Sequence, residues 1–287
     1  MKELIVLSGK GGTGKTTLVA SLATLMPNKV LADCDVDAAD LHLVLSPKIR
    51  QSHRFVSGIK AKVDAEACNA CGKCLEVCQF DAIRIKRTAL IDDLSCEGCG
   101  VCIHFCPAGA VYAERNDCGA WHISDTAYGT MVHAQLGIGE ENSGKLVSLV
   151  KKKTREIAEA QHAGYILVDG PPGIGCPVIA SLSSATLAIV VTEPTMSGLH
   201  DLKRISDLAN HFKIPFCVCI NKYDLNPRVS GQIGGWCRDQ RAVLLGKIPF
   251  DRMVIESLVA GKPISGHDSS PAADAISDIW QRLQTAV

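Results

Sequence analysis

Eight of the fourteen cysteines lie between Cys68 and Cys106, in two runs of the same spacing. Cys68, Cys71, Cys74 and Cys78 form a C-x2-C-x2-C-x3-C run, and Cys96, Cys99, Cys102 and Cys106 repeat it 28 positions later. The chain opens Met1-Lys2-Glu3 and passes straight into an apolar strand, so no export signal and a reducing cytoplasm are expected. Clustered thiols in that setting point to metal, not to disulfides. Zinc usually takes its thiolates as two separated C-x2-C pairs, and two runs of four close cysteines suit it badly. A second chemistry is written near the N-terminus. Gly9-Lys10-Gly11-Gly12-Thr13-Gly14-Lys15-Thr16 matches G-x-x-x-x-G-K-[ST] between a strand and a helix. The glycines let backbone N–H groups turn inward around phosphate oxygens. Lys15 supplies charge to the β- and γ-phosphates, and the Thr16 hydroxyl ligates Mg²⁺. A glycine-rich turn that happens to contain Lys-Thr is the alternative, and the flanking strand and helix argue against it.

The elements that must position these groups alternate. A buried strand at 4–7 leads into the glycine loop and a helix at about 15–25, and a short run at 29–32 ends in carboxylates. Helical periodicity over 146–161 runs into a strand at 165–168, with further β-rich runs at 187–192 and 216–220. Between these, Leu199, Leu202, Ile205, Leu208 and Ala209 have the spacing of an amphipathic helix. Such alternation implies an α/β fold, a mostly parallel P-loop sheet covered by helices on both faces. The cysteine block breaks the pattern. Its flanks repeat as well: Ala61-Lys62-Val63-Asp64 answers Ala89-Leu90-Ile91-Asp92, and Ala82-Ile83 answers Ala110-Val111. Each repeat reads as a short strand, a cysteine loop, a helical turn or two and another short strand, too small for a core of its own. The block is therefore expected as a small α+β domain, 59–115, inserted into a host made of 1–58 and 116–287. Residues 116–145 read as no particular element.

Composition sets outer bounds. The 287 residues suffice for one large domain or two modest ones. Lys+Arg and Asp+Glu both number 30, so no nucleic-acid partner is expected from net charge. The longest apolar runs are far short of the ~20 residues that span a bilayer. Secreted, membrane-spanning and disordered classes are excluded.

Lys10 marks the loop further, since holding one phosphate group needs no second lysine. The run from Lys10 to Thr17 resembles the deviant Walker A loop of the MinD/ParA/nitrogenase-iron-protein class. The resemblance implies an ATPase that binds ATP or ADP through Gly11, Gly12, Thr13, Gly14, Lys15, Thr16 and Thr17. It implies a nucleotide-sandwich homodimer, or a heterodimer with a paralogue, in which Lys10 reaches the partner's phosphates. Val30-Leu31-Ala32-Asp33-Cys34-Asp35-Val36-Asp37 looks like switch I, with Asp35 organising Mg²⁺ or the attacking water. Asp37 and Asp40 are weaker candidates that double as helix caps. Tyr165-Ile166-Leu167-Val168-Asp169 looks like a Walker B strand, Asp169 holding Mg²⁺ through water, and Gly170-Pro171-Pro172-Gly173 like switch II. The catalytic set implied is Lys10, Lys15, Asp35 and Asp169. Asn221-Lys222-Tyr223-Asp224 resembles the adenine-reading position, although N-K-x-D is also the guanine motif of GTPases. Lys247-Ile248-Pro249-Phe250-Asp251 looks like the loop that packs on the base, through Pro249. The deviant lysine belongs to the ATPase class, which favours ATP.

The cysteine block is similar to a bacterial ferredoxin with two 4Fe–4S clusters, in which each fourth cysteine ligates the other cluster. Carried over, one cluster takes Cys68, Cys71, Cys74 and Cys106, and the other takes Cys96, Cys99, Cys102 and Cys78. Pro107 follows the second run as in that pattern. Gln79 stands at the corresponding place in the first, which affects the local turn and not the ligand count.

Other residues read as structural. Cys176 stands where the nitrogenase iron protein ligates a bridging cluster, but residues 137–144 lack the second cysteine this needs. It is expected as a packed switch-region thiol. Cys217 and Cys219 read as core. Cys34, Cys118 and Cys237 have no ligand spacing, and no two of the nine histidines are spaced as a ligand pair. Ile276, Ile279, Trp280 and Leu283 share one face of a C-terminal helix. Its polar face carries Asp274, Asp278 and only Arg282, so packing is expected and not a stable membrane anchor. The function expected is an ATPase whose nucleotide-driven dimer switch controls electron transfer through two clusters to a redox protein. The alternatives are an ATP-gated carrier or scaffold that passes iron–sulfur or other metal clusters to an acceptor protein, and a ParA-like positioning factor.

Overall fold

Short apolar runs that alternate with amphipathic segments give a sheet flanked by helices, and the computed structural model describes residues 1–140, 142–265 and 269–286 of it. In chain order the elements begin β1 (Lys2–Ser8), α1 (Lys15–Leu25), β2 (Lys29–Asp33), α2 (Leu41–Leu45) and β3 (Lys48–Val63). The cysteine block holds α3 (Lys73–Glu76), β4 (Ile83–Ile85), β5 (Ala89–Ile91) and α4 (Val101–His104). There follow β6 (Val111–Thr126), β7 (Gly129–Leu136), α5 (Ser143–Ala160), β8 (Tyr165–Pro172), α6 (Cys176–Leu182) and β9 (Leu187–Thr192). The chain ends with α7 (Met196–His211), β10 (Phe216–Asn221), α8 (Pro227–Asp239), β11 (Val243–Ile248), α9 (Arg252–Val259) and α10 (Pro271–Ala286).

Contacts divide the chain into two units, one of Met1–His53, Trp121–Gln135 and Ser143–Val287, the other of Arg54–Ala120 and Leu136–Asn142. The second is wider than 59–115 because β3 and β6, each 16 residues long, extend beyond the cysteine block. The segment 116–145 that showed no pattern holds the end of β6 and all of β7. β3 is exposed over Lys48–Arg54 and lacks the alternation that would betray a strand.

The sheet order is β11-β10-β9-β1-β8-β2-β7-β6-β3, and β11 through β7 pair in parallel. Leu4, Ile5, Val6 and Leu7 are wholly buried, as expected of a central parallel strand covered on both faces. Ile276, Ile279, Trp280 and Leu283 of α10 are buried in the same core, with Trp280 edge-on to Tyr165 at 5.8 Å. No helix among the described residues is long and apolar enough to cross a membrane.

Single histidines from separate elements meet in the first unit. His133 of β7 lies 5.1 Å from His122 of β6 and 6.3 Å from His42 of α2, ring to ring, and Ser124 Oγ is 2.8 Å from its Nε2. Burial first, then His122 and His42, hold the His133 pKa down to about 4. A histidine depressed in the fold gives stability that is present above its unfolded pKa of about 6.5 and lost as pH falls through 4. The urea midpoint should therefore decline between pH 6.5 and 4, and His133→Gln should flatten that decline. An unaltered slope in the variant would place the effect elsewhere.

The second unit shows the repeat in three dimensions. α3 and α4 each start after a glycine in left-handed backbone, Gly72 and Gly100. Asp64 N–H donates to Ala110 O and Asp92 N–H to Ala82 O, both at 2.8 Å, so each repeat closes on the other. The core is Ala61, Ala82, Ile83, Ala89 and Val111 together with Cys74, Cys96 and Cys102, and Cys68, Cys78 and Cys106 pack against it half-buried, as do five aliphatic side chains. Apolar cores this small rarely hold a fold without a staple.

Candidate functional site

All candidate nucleotide residues stand at the C-terminal ends of parallel strands, where open α/β sheets place ligands. After β1 the chain turns through residues 9–14 into α1, with left-handed backbone at Gly12 and Gly14, φ 78° and 88°. A side chain at Gly14 would also stand 2.2 Å from Asn221 Nδ2, so only glycine fits there. Gly14 leaves the start of α1 with no side-chain cap, and free N–H groups at a helix start favour phosphate. The loop opens on a cavity of about 560 Å³ lined by residues 11–18, Asp35, Asn221, Lys222 and Pro249.

Lys15 and Asp35 line this cavity, and Asp169 meets Lys15 outside its lining. Lys15 Nζ is 2.6 Å from Asp169 Oδ1 and 3.3 Å from Asp35 Oδ2. Burial works to lower the Lys15 pKa, but Asp169 and Asp35 outweigh it and hold the ammonium above its ordinary range. Asp35 is held above the carboxylate range, first by burial and, against Lys15, by Asp169. Asp169 Oδ2 and Thr13 Oγ1 are buried without a hydrogen-bond partner among the described residues. A buried carboxylate oxygen with no donor, on the Asp169 that pairs with Lys15, whose Nζ is also 3.5 Å from Thr16 Oγ1, fits a hydrated divalent cation.

Two residues escaped the motif reading. Asp33 closes β2 in register with Asp169, and its carboxylate accepts N–H bonds from Asp35 (3.1 Å) and Leu41 (3.3 Å). Burial first and Asp169 next push its pKa well above the usual range. Its place as the last residue of a strand was the available signal. Glu193, just after β9, pairs with Lys222 at 2.6 Å and with Lys10 at 3.7 Å. Lys10 is accordingly apart from the Lys15 cluster, with its side chain 41% exposed. Asn221 donates from Nδ2 to Thr13 O at 2.8 Å and ties β10 to the phosphate loop. Asp224 accepts the Phe250 N–H at 2.7 Å, which holds the loop after β11 and leaves Asp224 outside the cavity lining. Asp40 precedes α2 without making a side-chain cap bond.

Cys176 is exposed, which corrects the expectation of a packed thiol. It begins α6, whose buried residues are Val178, Ser181 and Leu182, and so lies off the packed face. Cys34, Cys118, Cys217, Cys219 and Cys237 are all buried.

In the second unit the eight clustered thiols divide between two small cavities. Cys68, Cys71, Cys74 and Cys106 line one, and Cys78, Cys96, Cys99 and Cys102 line the other. Each set takes three cysteines from one run and the fourth from the other. Ala89 N–H donates to Cys68 Sγ at 3.4 Å. Partial burial would raise the Cys106 pKa, but the N–H groups of Val111, Ala110, Ala108 and Gly109 prevail and lower it. Among the described residues, no three His, Cys, Asp or Glu side chains converge tightly enough for one metal ion. Four thiols lining one cavity are the donor set that an iron–sulfur cluster takes.

The strand order, the glycine loop and the buried lysine–carboxylate cluster define a P-loop α/β nucleotide-binding domain. The chain belongs to the family described as the CobQ/CobB/MinD/ParA nucleotide binding domain, whose family model matches residues 4–264. It is 30% identical over 285 residues to the uncharacterized protein MJ0578 of Methanocaldococcus jannaschii, covering 98% of this chain and 96% of that one. It is 27% identical over 156 residues to an iron–sulfur cluster carrier protein of Pyrococcus horikoshii, 49% of this chain and 52% of that one. Among solved structures, the septum site-determining protein MinD with Mg-ADP from Pyrococcus horikoshii shares the fold, with a TM-score of 0.60 and 18% identity over 99% of this chain and 96% of that one.

Proposed function

We propose that this chain hydrolyses ATP to ADP and phosphate, and that the nucleotide state of a dimer controls one-electron transfer through two 4Fe–4S clusters. The carrying observation is the division of eight cysteines into two sets of four around separate cavities, in a chain that also bears a phosphate loop. Bound clusters would each store one electron, taken from a low-potential protein donor and passed to a protein acceptor. Cys68, Cys71, Cys74 and Cys106 would hold the first, and Cys78, Cys96, Cys99 and Cys102 the second.

In the nucleotide site the chain's own groups have separate tasks. The loop amides and Lys15 bind the phosphates, and Thr16, Asp35 and Asp169 would hold Mg²⁺ directly or through water, a cation that would offset phosphoryl charge. Asp35 orients the attacking water. The engagement of Asp224 with the Phe250 amide supports adenine over guanine, because the carboxylate that would read guanine is turned to the protein backbone. Anaerobic isolation should yield about eight iron and eight sulfide per chain, with two interacting signals on reduction. Stoichiometric zinc without absorption near ~400 nm would sink the cluster assignment.

Lys10 gives the dimer its test. Lys10→Ala should leave ATP binding to the monomer intact, while phosphate release falls by about 10³-fold, as when a trans-acting cation is removed from a phosphoryl-transfer site. ATP-dependent dimerisation, followed by light scattering, should fall with it. Wild-type turnover in the variant would remove Lys10 from the mechanism.

A second reading, an ATP-gated cluster carrier, is favoured by the match to an iron–sulfur cluster carrier protein over about half of this chain. Transfer of clusters to an apo acceptor separates it from electron transfer, which leaves them in place.

A further inference from the structure

The two repeats of the cysteine unit allow a comparison position by position, and they are not equivalent. Lys60 donates from Nζ to the backbone oxygen of Cys96 at 2.9 Å. Its counterpart 28 residues on, beside the first cysteine loop, is Thr88, which carries no charge. A side chain at Gly98 would stand 2.0 Å from Ile59 O, so β3 lies directly on the second loop, whereas the matching residue of the first loop is Ala70. Among the described residues, no charged side chain lines the cavity of Cys68, Cys71, Cys74 and Cys106, while Glu97 lines the other.

Lys60 also faces Glu140, at 3.9 Å, and both line a polar cavity of about 180 Å³ that includes Cys96 and Glu97. Asn116 Nδ2 donates to the other Glu140 oxygen at 2.5 Å. Lys60 and Glu140 are only 13% and 18% exposed, so this charge pair is poorly screened. Glu140 stands three residues before Ser143, the first residue of α5, in the sequence. In the first turn of α5, a side chain at Gly144 would stand 3.5 Å from Cys176. Cys176 starts α6 directly after the loop that follows Asp169. In the sequence, Glu140 thus closely precedes a helix start that lies beside the residue ending the switch loop.

We propose that Lys60 and Glu140 transmit the nucleotide state to one cluster only, the one held by Cys78, Cys96, Cys99 and Cys102, by setting its reduction potential. This rests on the two-cluster reading above. The positive charge of Lys60 favours the reduced state, which carries one more negative charge, and Glu140 offsets it. A shift of the switch loop that moves Glu140 relative to Lys60 changes that balance. The first cluster, with Thr88 in place of Lys60, keeps a constant potential. By linkage, a tenfold change in nucleotide affinity between the two redox states corresponds to about 59 mV for a one-electron couple.

The test follows both potentials by EPR-monitored titration with no nucleotide, with ADP and with a non-hydrolysable ATP analogue. Each signal is assigned from Cys71→Ser and Cys99→Ser proteins. Glu140→Gln should raise the second potential, Lys60→Met should lower it, and both should erase its nucleotide dependence. The first potential, measured in the same molecules, should stay put and serves as the control for folding. Amide hydrogen exchange across residues 136–140 should differ between ADP and the analogue in the wild type, with or without iron. A second potential that neither substitution moves, an equal shift in both clusters, or unchanged exchange overturns the inference and leaves the cluster count untouched. A preparation without iron and sulfide overturns the two-cluster reading and this inference with it.

Discussion

Lys15→Ala is expected to weaken ATP binding by about two orders of magnitude and to cost the nucleotide-free fold about 3–5 kcal/mol. The second effect follows from what Lys15 touches. Its side chain is 6% exposed and lies against Asp169 and Asp35. Asp33, fully buried in register with Asp169, stands behind them. Without the ammonium, the buried carboxylates face one another uncompensated and take up protons to relieve the repulsion. Asp33 and Asp35 are already held above the usual range, by burial first and then by Asp169, with Lys15 the chief opposing influence. An acid whose folded pKa is raised stabilises fully below its unfolded pKa, and that contribution is lost as pH rises through the folded value. The deficit of the variant should therefore be larger at pH 8 than at pH 5. Adding Asp169→Asn should restore much of the stability and none of the ATP affinity. Urea unfolding at both pH values and calorimetry with Mg-ATP read the two effects separately. Wild-type stability at pH 8 would falsify the view that Lys15 compensates this cluster.

What the sequence disclosed tracks how locally each chemistry is encoded. A phosphate loop needs its glycines, lysine and threonine at fixed offsets, and residues 9–16 keep them, so the turn between β1 and α1 was readable. The cysteine runs are local in the same way, and their repeat reappears in the paired Asp64–Ala110 and Asp92–Ala82 hydrogen bonds. Central strands showed as apolar runs because both faces are buried. β3 and the end of β6 did not show, since Lys48–Arg54 is an exposed stretch with no apolar face to mark it. Asp33 and Glu193 are single carboxylates whose importance depends on which strands end side by side. The histidines 42, 122 and 133 come from three elements, and no spacing rule could have joined them. Cys176 was misjudged because its exposure depends on which face of α6 packs, and the preceding loop does not fix that.

Cys78→Ser and Cys99→Ser are expected to remove the same spectroscopic signal, although the two cysteines belong to different runs. Cys106→Ser and Cys71→Ser should likewise remove the other. Sequence proximity alone would group Cys78 with Cys71 and Cys74. The fold instead places Cys78 beside Cys96, Cys99 and Cys102, and Cys106 beside Cys68, Cys71 and Cys74. Three thiols on a short loop can cover only one side of a cube, so the fourth comes from elsewhere, here from just beyond the helical turn of the opposite repeat. Each single variant should keep about four iron per chain, because one complete set of four thiols survives. On the proposed two-cluster reading the crossing also gives the clusters a structural part. Cys74, Cys96 and Cys102 are buried among the few apolar side chains of this unit, so bound metal and its thiolates would supply most of what holds the two repeats together. Cys78→Ser with Cys106→Ser in one chain should therefore open residues 54–120 to proteolysis, while the phosphate loop, in the other unit, still binds ATP. Iron analysis, EPR and limited proteolysis on the same preparations separate these outcomes. A Cys78→Ser protein that loses the Cys71-dependent signal and keeps the Cys99-dependent one would show that each run serves its own cluster, and the crossed assignment would have to be abandoned.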